Sequence, residues 1–209
     1  MSDVTEQSPS QLAYGRTEWD DHHHLPTNTG LTNEKVTMWA FLGSDCLLFG
    51  ALISTYLLLR NRVGPATEGP TAADLFDIPF TSVSSFVLLM SSLTMVLAVT
   101  SIQRGEMDRC KLWLLTTAAL GAIFIAGQVY EFTSFYREGL GFTTNISSSA
   151  FYTLTGFHGV HVSLGIVMLV TMWVLVSGGQ IGAERAETIE IIGLYWHFVD
   201  IVWIVIFAV

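Results

Sequence analysis

Five stretches of this 209-residue chain are long and apolar enough to cross a bilayer, and no other feature restricts its fold as strongly. About 30 Å of hydrocarbon, at about 1.5 Å of rise per residue, asks for about 20 mostly apolar residues. The stretches that meet this lie at about 37–59, 79–101, 112–136, 149–177 and 189–208. They predict an all-α integral membrane protein, a bundle of five transmembrane helices. The first stretch stops at Arg60-Asn61-Arg62, the second opens on Pro79, and the third lies between Lys111 and Arg137. A proline suits the first helical turn, where its missing N–H removes nothing. The connections at 60–78, 102–111, 137–148 and 178–188 are too short for a soluble domain.

Composition agrees. Apolar residues make up 51% of the chain and charged residues 13%, about half the charged share of a soluble domain. Mean hydropathy is +0.51. Net charge is −9, which leaves no basic stripe to neutralise phosphates and so excludes a nucleic-acid binder. Two cysteines, Cys46 and Cys110, cannot make a disulfide scaffold. Residues 1–34 carry six acids against Arg16 alone. Residues 1–33 therefore read as an acidic, disordered tail without the basic start and apolar core of a signal peptide. His22, His23 and His24, beside Asp20 and Asp21, have side chains that can chelate a metal, but in such a tail they read as solvated residues.

Five spans put the termini on opposite sides. With the N-terminus cytoplasmic, Arg16, Lys35, Arg104, Arg109, Lys111 and Arg185 lie inside, and Arg60, Arg62 and Arg137 outside. That bias follows the positive-inside rule.

Ionisable residues inside spans cost at least about 2.5–3.5 kcal/mol on insertion scales, so each needs a reason. Asp45, Glu131 and Asp200 are the acids, on the first, third and fifth spans; His158, His161 and His197 join them on the fourth and fifth. All six are expected to face the bundle or a partner chain. His158 and His161 share a helix face, as do His197 and Asp200, whose stripe continues to Gly193 and Ile204. Gly156, Gly159 and Gly165 flank the histidines and would admit another backbone closely. His158 and His197 lie about 13 and 16 Å below the outer surface, near enough in depth to meet. Three readings stay open here: haem ligation across helices, a proton relay, or interhelical hydrogen bonds that fix register. Ser84/Ser91 and Ser85/Ser92 recur at seven residues, a small-residue packing face. Trp196 and Trp203 lie inside the fifth span, as packing residues rather than an interfacial belt. Asn145-Ile146-Ser147 matches a glycosylation sequon, a pattern common by chance.

Two segments carry a family resemblance. Thr155-Gly156-Phe157-His158-Gly159-Val160-His161-Val162 and Tyr195-Trp196-His197-Phe198-Val199-Asp200-Ile201-Val202-Trp203 resemble the two signatures of subunit III of the haem–copper terminal oxidases. Gly127-Gln128-Val129-Tyr130-Glu131-Phe132 and Gly43-Ser44-Asp45-Cys46-Leu47-Leu48-Phe49-Gly50 agree, so the likeness runs from about residue 34 to 209. The resemblance implies a non-catalytic subunit with no haem or copper of its own, in a bacterial cell membrane rather than a mitochondrial one. Its implied partners are subunit I, which holds haem and copper, then subunit II, other respiratory complexes and bound phospholipid. It also implies support of oxygen access, proton uptake and endurance during turnover. Asp45 maps onto the family's carbodiimide-reactive carboxylate, which is usually Glu. Many members have seven helices and this chain matches the last five. Other readings are a quinol oxidase subunit III, an accessory subunit of a nitric oxide reductase, and an independent haem-binding or proton-conducting membrane protein.

Overall fold

Each apolar stretch becomes one long helix: α1 (Asn33–Leu59), α2 (Ile78–Gln103), α3 (Met107–Arg137), α4 (Ile146–Ser177) and α5 (Ala186–Ala208), with a short 3-10 turn at Ala183–Arg185 before the last. The structure, a computed structural model, describes residues 32–60 and 77–209. The acidic segment with His22–His24, and most of the first connection, lie outside the described residues. Residues 38–209 form one unit, and the contacts below all belong to it. In the other unit, residues 1–37, only 32–37 are described; from Asn33 they are the first turn of α1.

Most helix ends extend a few residues beyond the predicted spans. The spans follow hydrocarbon thickness, whereas helical hydrogen bonding continues until a cap stops it. At the start of α2, the Asp77 side chain accepts from the Phe80 backbone N–H at 3.3 Å, with proline in the first turn. At the start of α4, Asn145 accepts from Ser148 N–H at 2.7 Å while Ser148 Oγ accepts from Asn145 N–H at 3.2 Å, a reciprocal capping box. The sequon asparagine is thus a buried helix cap. Between α2 and α3, Gly105 takes φ +76°, so that its N–H reaches Ile102 O and the next N–H reaches Ser101 O. A side chain at that φ would be strained.

Helices α2 to α5 supply most of the main core, to which α1 adds Leu42. The core also includes Leu88, Met95, Ala98 and Ile102 of α2, Leu114 and Phe124 of α3, Val162 and Leu169 of α4, and Trp196 and Val199 of α5. In a bilayer, apolar surface gains little by leaving lipid, so close packing and interhelical hydrogen bonds drive association. The buried face of α2 suits that, with Thr81, Ser85, Ser91, Thr94, Ala98 and Ser101. Thr94 and Thr117 join α2 to α3 through a 2.8 Å hydroxyl pair. Helix α1 buries only Leu42, Asp45 and Phe49; Phe49 packs with Leu154 and Val202.

Candidate functional site

The candidate site is a set of polar contacts threaded through this bundle, and Trp196 stands at its centre. Its indole is 1% exposed and donates to Ser91 Oγ at 2.9 Å. A Cβ built on Gly121 of α3 would lie 2.6 Å from Trp196 Cη2; one on Gly165 of α4 would lie 2.8 Å from Cε3 and Cζ3. Four helices therefore meet at one side chain, and two of them can approach it only as glycine. Seven residues on, Trp203 repeats the device and donates to Ser85 Oγ at 2.9 Å. Indole N–H groups need an acceptor when buried, and α2 supplies one hydroxyl for each. The adjacent Ser92 Oγ meets His197 Nδ1 at 2.5 Å. The serine periodicity of α2 is thus the row on which α5 is seated.

The six ionisable residues separate into distinct neighbourhoods. Glu131 of α3 is buried, accepts from the Thr81 hydroxyl of α2, and lies 3.5 Å from Gln128 Nε2. Asp45 of α1 faces His161 of α4, with Oδ2 3.6 Å from Nε2. That is an ion-pair distance beyond hydrogen-bond reach. The His161 Nδ1 meets Phe157 O at 2.8 Å. A nitrogen facing a carbonyl carries the hydrogen, so in a neutral ring Nε2 presents a lone pair to Asp45.

His158 turns the other way. It is fully buried, stacks on Trp203 with centroids 4.9 Å apart, and meets Phe124 and Phe49 edge-on at 6.0 and 6.4 Å. Neither ring nitrogen has a hydrogen-bond partner. Asp200 is 3% exposed, with both oxygens unpartnered. The Ser92 hydroxyl lies beside it but at hydrogen-bond distance it is engaged by His197.

Two expectations are corrected. His158 and His197, expected at similar depth, do not meet: one is enclosed by aromatic rings, the other is bonded to α2. The reason is rotational. Trp196 and Trp203 occupy the inward face of α5, and His197 lies about 100° round the helix from Trp196. Nor do Gly156 and Gly159 admit a backbone of this chain, since nothing lies within 4 Å of a Cβ built on either. They line instead an open, largely apolar groove of about 380 Å³ between α3 and α4, bounded by Ile125, Phe132, Val160 and Val167. Close approach falls to Gly165, and to Gly121, which sequence reading missed. Thr81 was also missed, although it extends the serine row by four residues before Ser85, a signal present in the spacing.

Among the described residues no group of three or more His, Cys, Asp or Glu is placed to hold a metal ion. The arrangement can join helices, fix side-chain orientation and hold protons at carboxyl and imidazole groups.

Comparison with known proteins matches residues 15–209 to the model of the family described as cytochrome c oxidase subunit III. The chain is 37% identical over 177 residues to cytochrome c oxidase subunit 3 of Bacillus sp. strain PS3, covering 85% of this chain and 84% of that one. It is 35% identical over 189 residues to cytochrome bo(3) ubiquinol oxidase subunit 3 of Pseudomonas aeruginosa, covering 90% and 88%. Quinol oxidase subunit 3 of Bacillus subtilis matches at 34% over 170 residues, covering 81% and 82%. With five helices among the described residues long and apolar enough to span a membrane, and bacterial relatives matched over most of their length, the chain is a membrane protein and a subunit of an oxidase complex, and it belongs to the cytochrome c oxidase subunit III family.

Proposed function

We propose that this chain packs against the haem- and copper-bearing subunit I of a respiratory terminal oxidase, beside subunit II, and contributes no catalytic group itself. The observation that carries this reading is that the polar side chains joining its helices are turned to one another, while His158 and Asp200 are enclosed. Thr81 holds Glu131, Asp45 faces His161, and the serines of α2 hold Trp196, His197 and Trp203. Haem ligation between helices of this chain would need imidazoles turned toward one another, whereas His158 sits among rings and His197 is turned to Ser92. Haem and copper belong to the neighbouring subunit, where oxygen is reduced.

What this chain's own residues do is structural and electrostatic. The polar contacts set the register of α2 against α3 and α5, each interhelical bond contributing about 0.6–2 kcal/mol. The bundle then gives subunit I a fixed apolar wall, and the groove at Gly156 and Gly159 can take a phospholipid acyl chain. Asp45 and His161 can hold a proton between them, which would tie α1 to proton uptake by the complex. The N-terminus is cytoplasmic and the C-terminus outside, in the sense of the charge bias. Relatives named for cytochrome c and for quinol match at similar identity, so the electron donor is a property of other subunits.

Gentle solubilisation tests the reading. An affinity tag on this chain is expected to recover a larger subunit carrying haem and copper, while the isolated chain shows no Soret band. Stoichiometric haem on the isolated chain would overturn it.

A further inference from the structure

The open groove between α3 and α4 is lined mostly by apolar side chains and glycines, with Gln128 of α3 and Thr155 and Ser163 of α4 as its polar members. Thr155 and Ser163 have each spent their one hydrogen on a carbonyl of their own helix, Phe151 O and Gly159 O, both at 2.8 Å. What they can still offer is an oxygen lone pair. Gln128 is 6% exposed, and its Nε2 faces Glu131 Oε2 at 3.5 Å. A carboxylate oxygen only accepts, so the amide turns its nitrogen to Glu131 and its oxygen away. That oxygen has no hydrogen bond among the described residues and is not enclosed by protein. The side chain that carries it lines the groove. A buried amide thus presents an unmet acceptor to a hydrocarbon space, where lipid tails have nothing to donate.

Depth narrows what can answer it. Helix α3 has 31 residues, about 46 Å, which exceeds the hydrocarbon by about 16 Å. Gln128 lies nine residues, about 13 Å, before the helix ends at Arg137. With the excess shared between the two ends, Gln128 stands about 5 Å inside the hydrocarbon. The ester groups of a phospholipid reach that level but only accept, and its charged headgroup is kept in the interface by the cost of burying charge. An uncharged lipid with a free hydroxyl can sink far enough to donate there. We infer that the α3–α4 groove is a site for a diacylglycerol-type lipid, whose hydroxyl donates to Gln128 Oε1 while an acyl chain lies over Gly156 and Gly159 toward Val167. This rests on the lipid groove of the proposed function and names the chemistry of its occupant. Glu131 acts as a positioning residue, because it holds the amide nitrogen and so turns the oxygen outward.

Two probe lipids separate the hydroxyl from the hydrocarbon: dioleoylglycerol, and its methyl ether, in which that hydroxyl is capped. The detergent-solubilised full-length chain is equilibrated with equal amounts of both, and native mass spectrometry measures how much of each is bound. Dioleoylglycerol should be held about three- to tenfold more, the factor expected of one hydrogen bond in a membrane. Gln128→Met keeps the side-chain length without the acceptor and should abolish that preference. Gly159→Leu fills the groove, where a Cβ meets nothing within 4 Å, and should lower the binding of both lipids. Equal binding of the two lipids by the unsubstituted chain, a result that needs no variant to fold, would overturn the inference and leave the lipid groove standing. A preference that survives either substitution would also overturn it, because the hydroxyl would then be read elsewhere. If neither lipid binds, or Gly159→Leu leaves both unchanged, the lipid groove fails and takes this inference with it.

Discussion

Helices α1 and α2 differ by one residue in length, 27 against 26, and both are apolar enough to span a membrane. Yet α1 buries three residues in this chain and α2 buries nine. Apolarity does not separate them, because lipid and protein interior are equally good solvents for leucine. What separates them is the residue type on the inward face. Helix α2 presents hydroxyls and alanine, which let neighbours approach and give indole, imidazole and carboxyl groups their partners. Helix α1 presents Leu42, Asp45 and Phe49 along a single narrow line. Its Gly43 and Gly50 open onto nothing within 4 Å. In this protein, small polar residues decide how much of a helix enters the core.

The contrast can be broken most severely at its centre. Trp196→Ala empties the junction of four helices and removes the indole donor from Ser91 Oγ, which keeps only its own bond to Leu88 O. Thermal unfolding of the detergent-solubilised chain should show a loss of about 3–5 kcal/mol, with α2 and α5 losing hydrogen-exchange protection together. An unchanged transition would mean that Trp196 fills space without organising it. Gly121→Ala acts on the same junction from α3. A methyl 2.6 Å from the indole must displace it, at about 1–3 kcal/mol, so the variant should melt earlier although alanine is the better helix former.

Phe49→Ala addresses the other side of the comparison. It removes the aromatic contact of α1 with His161 at 5.0 Å and with Phe198 at 6.4 Å. Because lipid can replace some of that contact, the loss should be about 1–2 kcal/mol, below the range for an aqueous core. Exchange should rise in α1 while α2 to α5 keep their protection. Global unfolding in its place would show that α1 is as integral to the core as α2. Asp45→Asn is milder still. It keeps the shape and a polar group opposite His161, so assembly and initial oxygen consumption should stay near the unsubstituted level. Complete loss of turnover in assembled complex would give Asp45 a larger part than a contact of α1. The smallest effect belongs to Gly159→Ala, which adds a methyl to open space. In the melting transition it should raise stability slightly, by about 0.5–1 kcal/mol, because alanine loses less backbone entropy in a helix than glycine.

The extent of the helices was legible because bilayer thickness sets it. Apolar length located all five spans; the caps at Asp77 and Asn145 account for two of the starts. The two signature segments, which hold His158, His161, His197 and Asp200, were legible as a family pattern. Their neighbours were less so. Helical periodicity gives the face on which a residue lies, but not which helix stands opposite. His158 and His161 share a face, yet one stacks on Trp203 and the other faces Asp45. The spacing of the serine row marks a packing surface, whereas its hydroxyls also accept indole hydrogens from α5. Gly121 carried no motif to mark it among the glycines.

By itself, then, the sequence determined the number of helices, the membrane as their solvent and the cost of six ionisable side chains within it. Each of these follows from chain-local quantities: apolar length, charge and spacing. Tertiary structure alone decided that Trp196 and Trp203 would take the inward face of α5 and turn His197 aside to Ser92. It also decided that Gly165 would receive an indole while Gly156 and Gly159 open a groove. Those outcomes depend on the rotation and separation of each helix relative to the others, and are fixed only when all the packed faces fit at once.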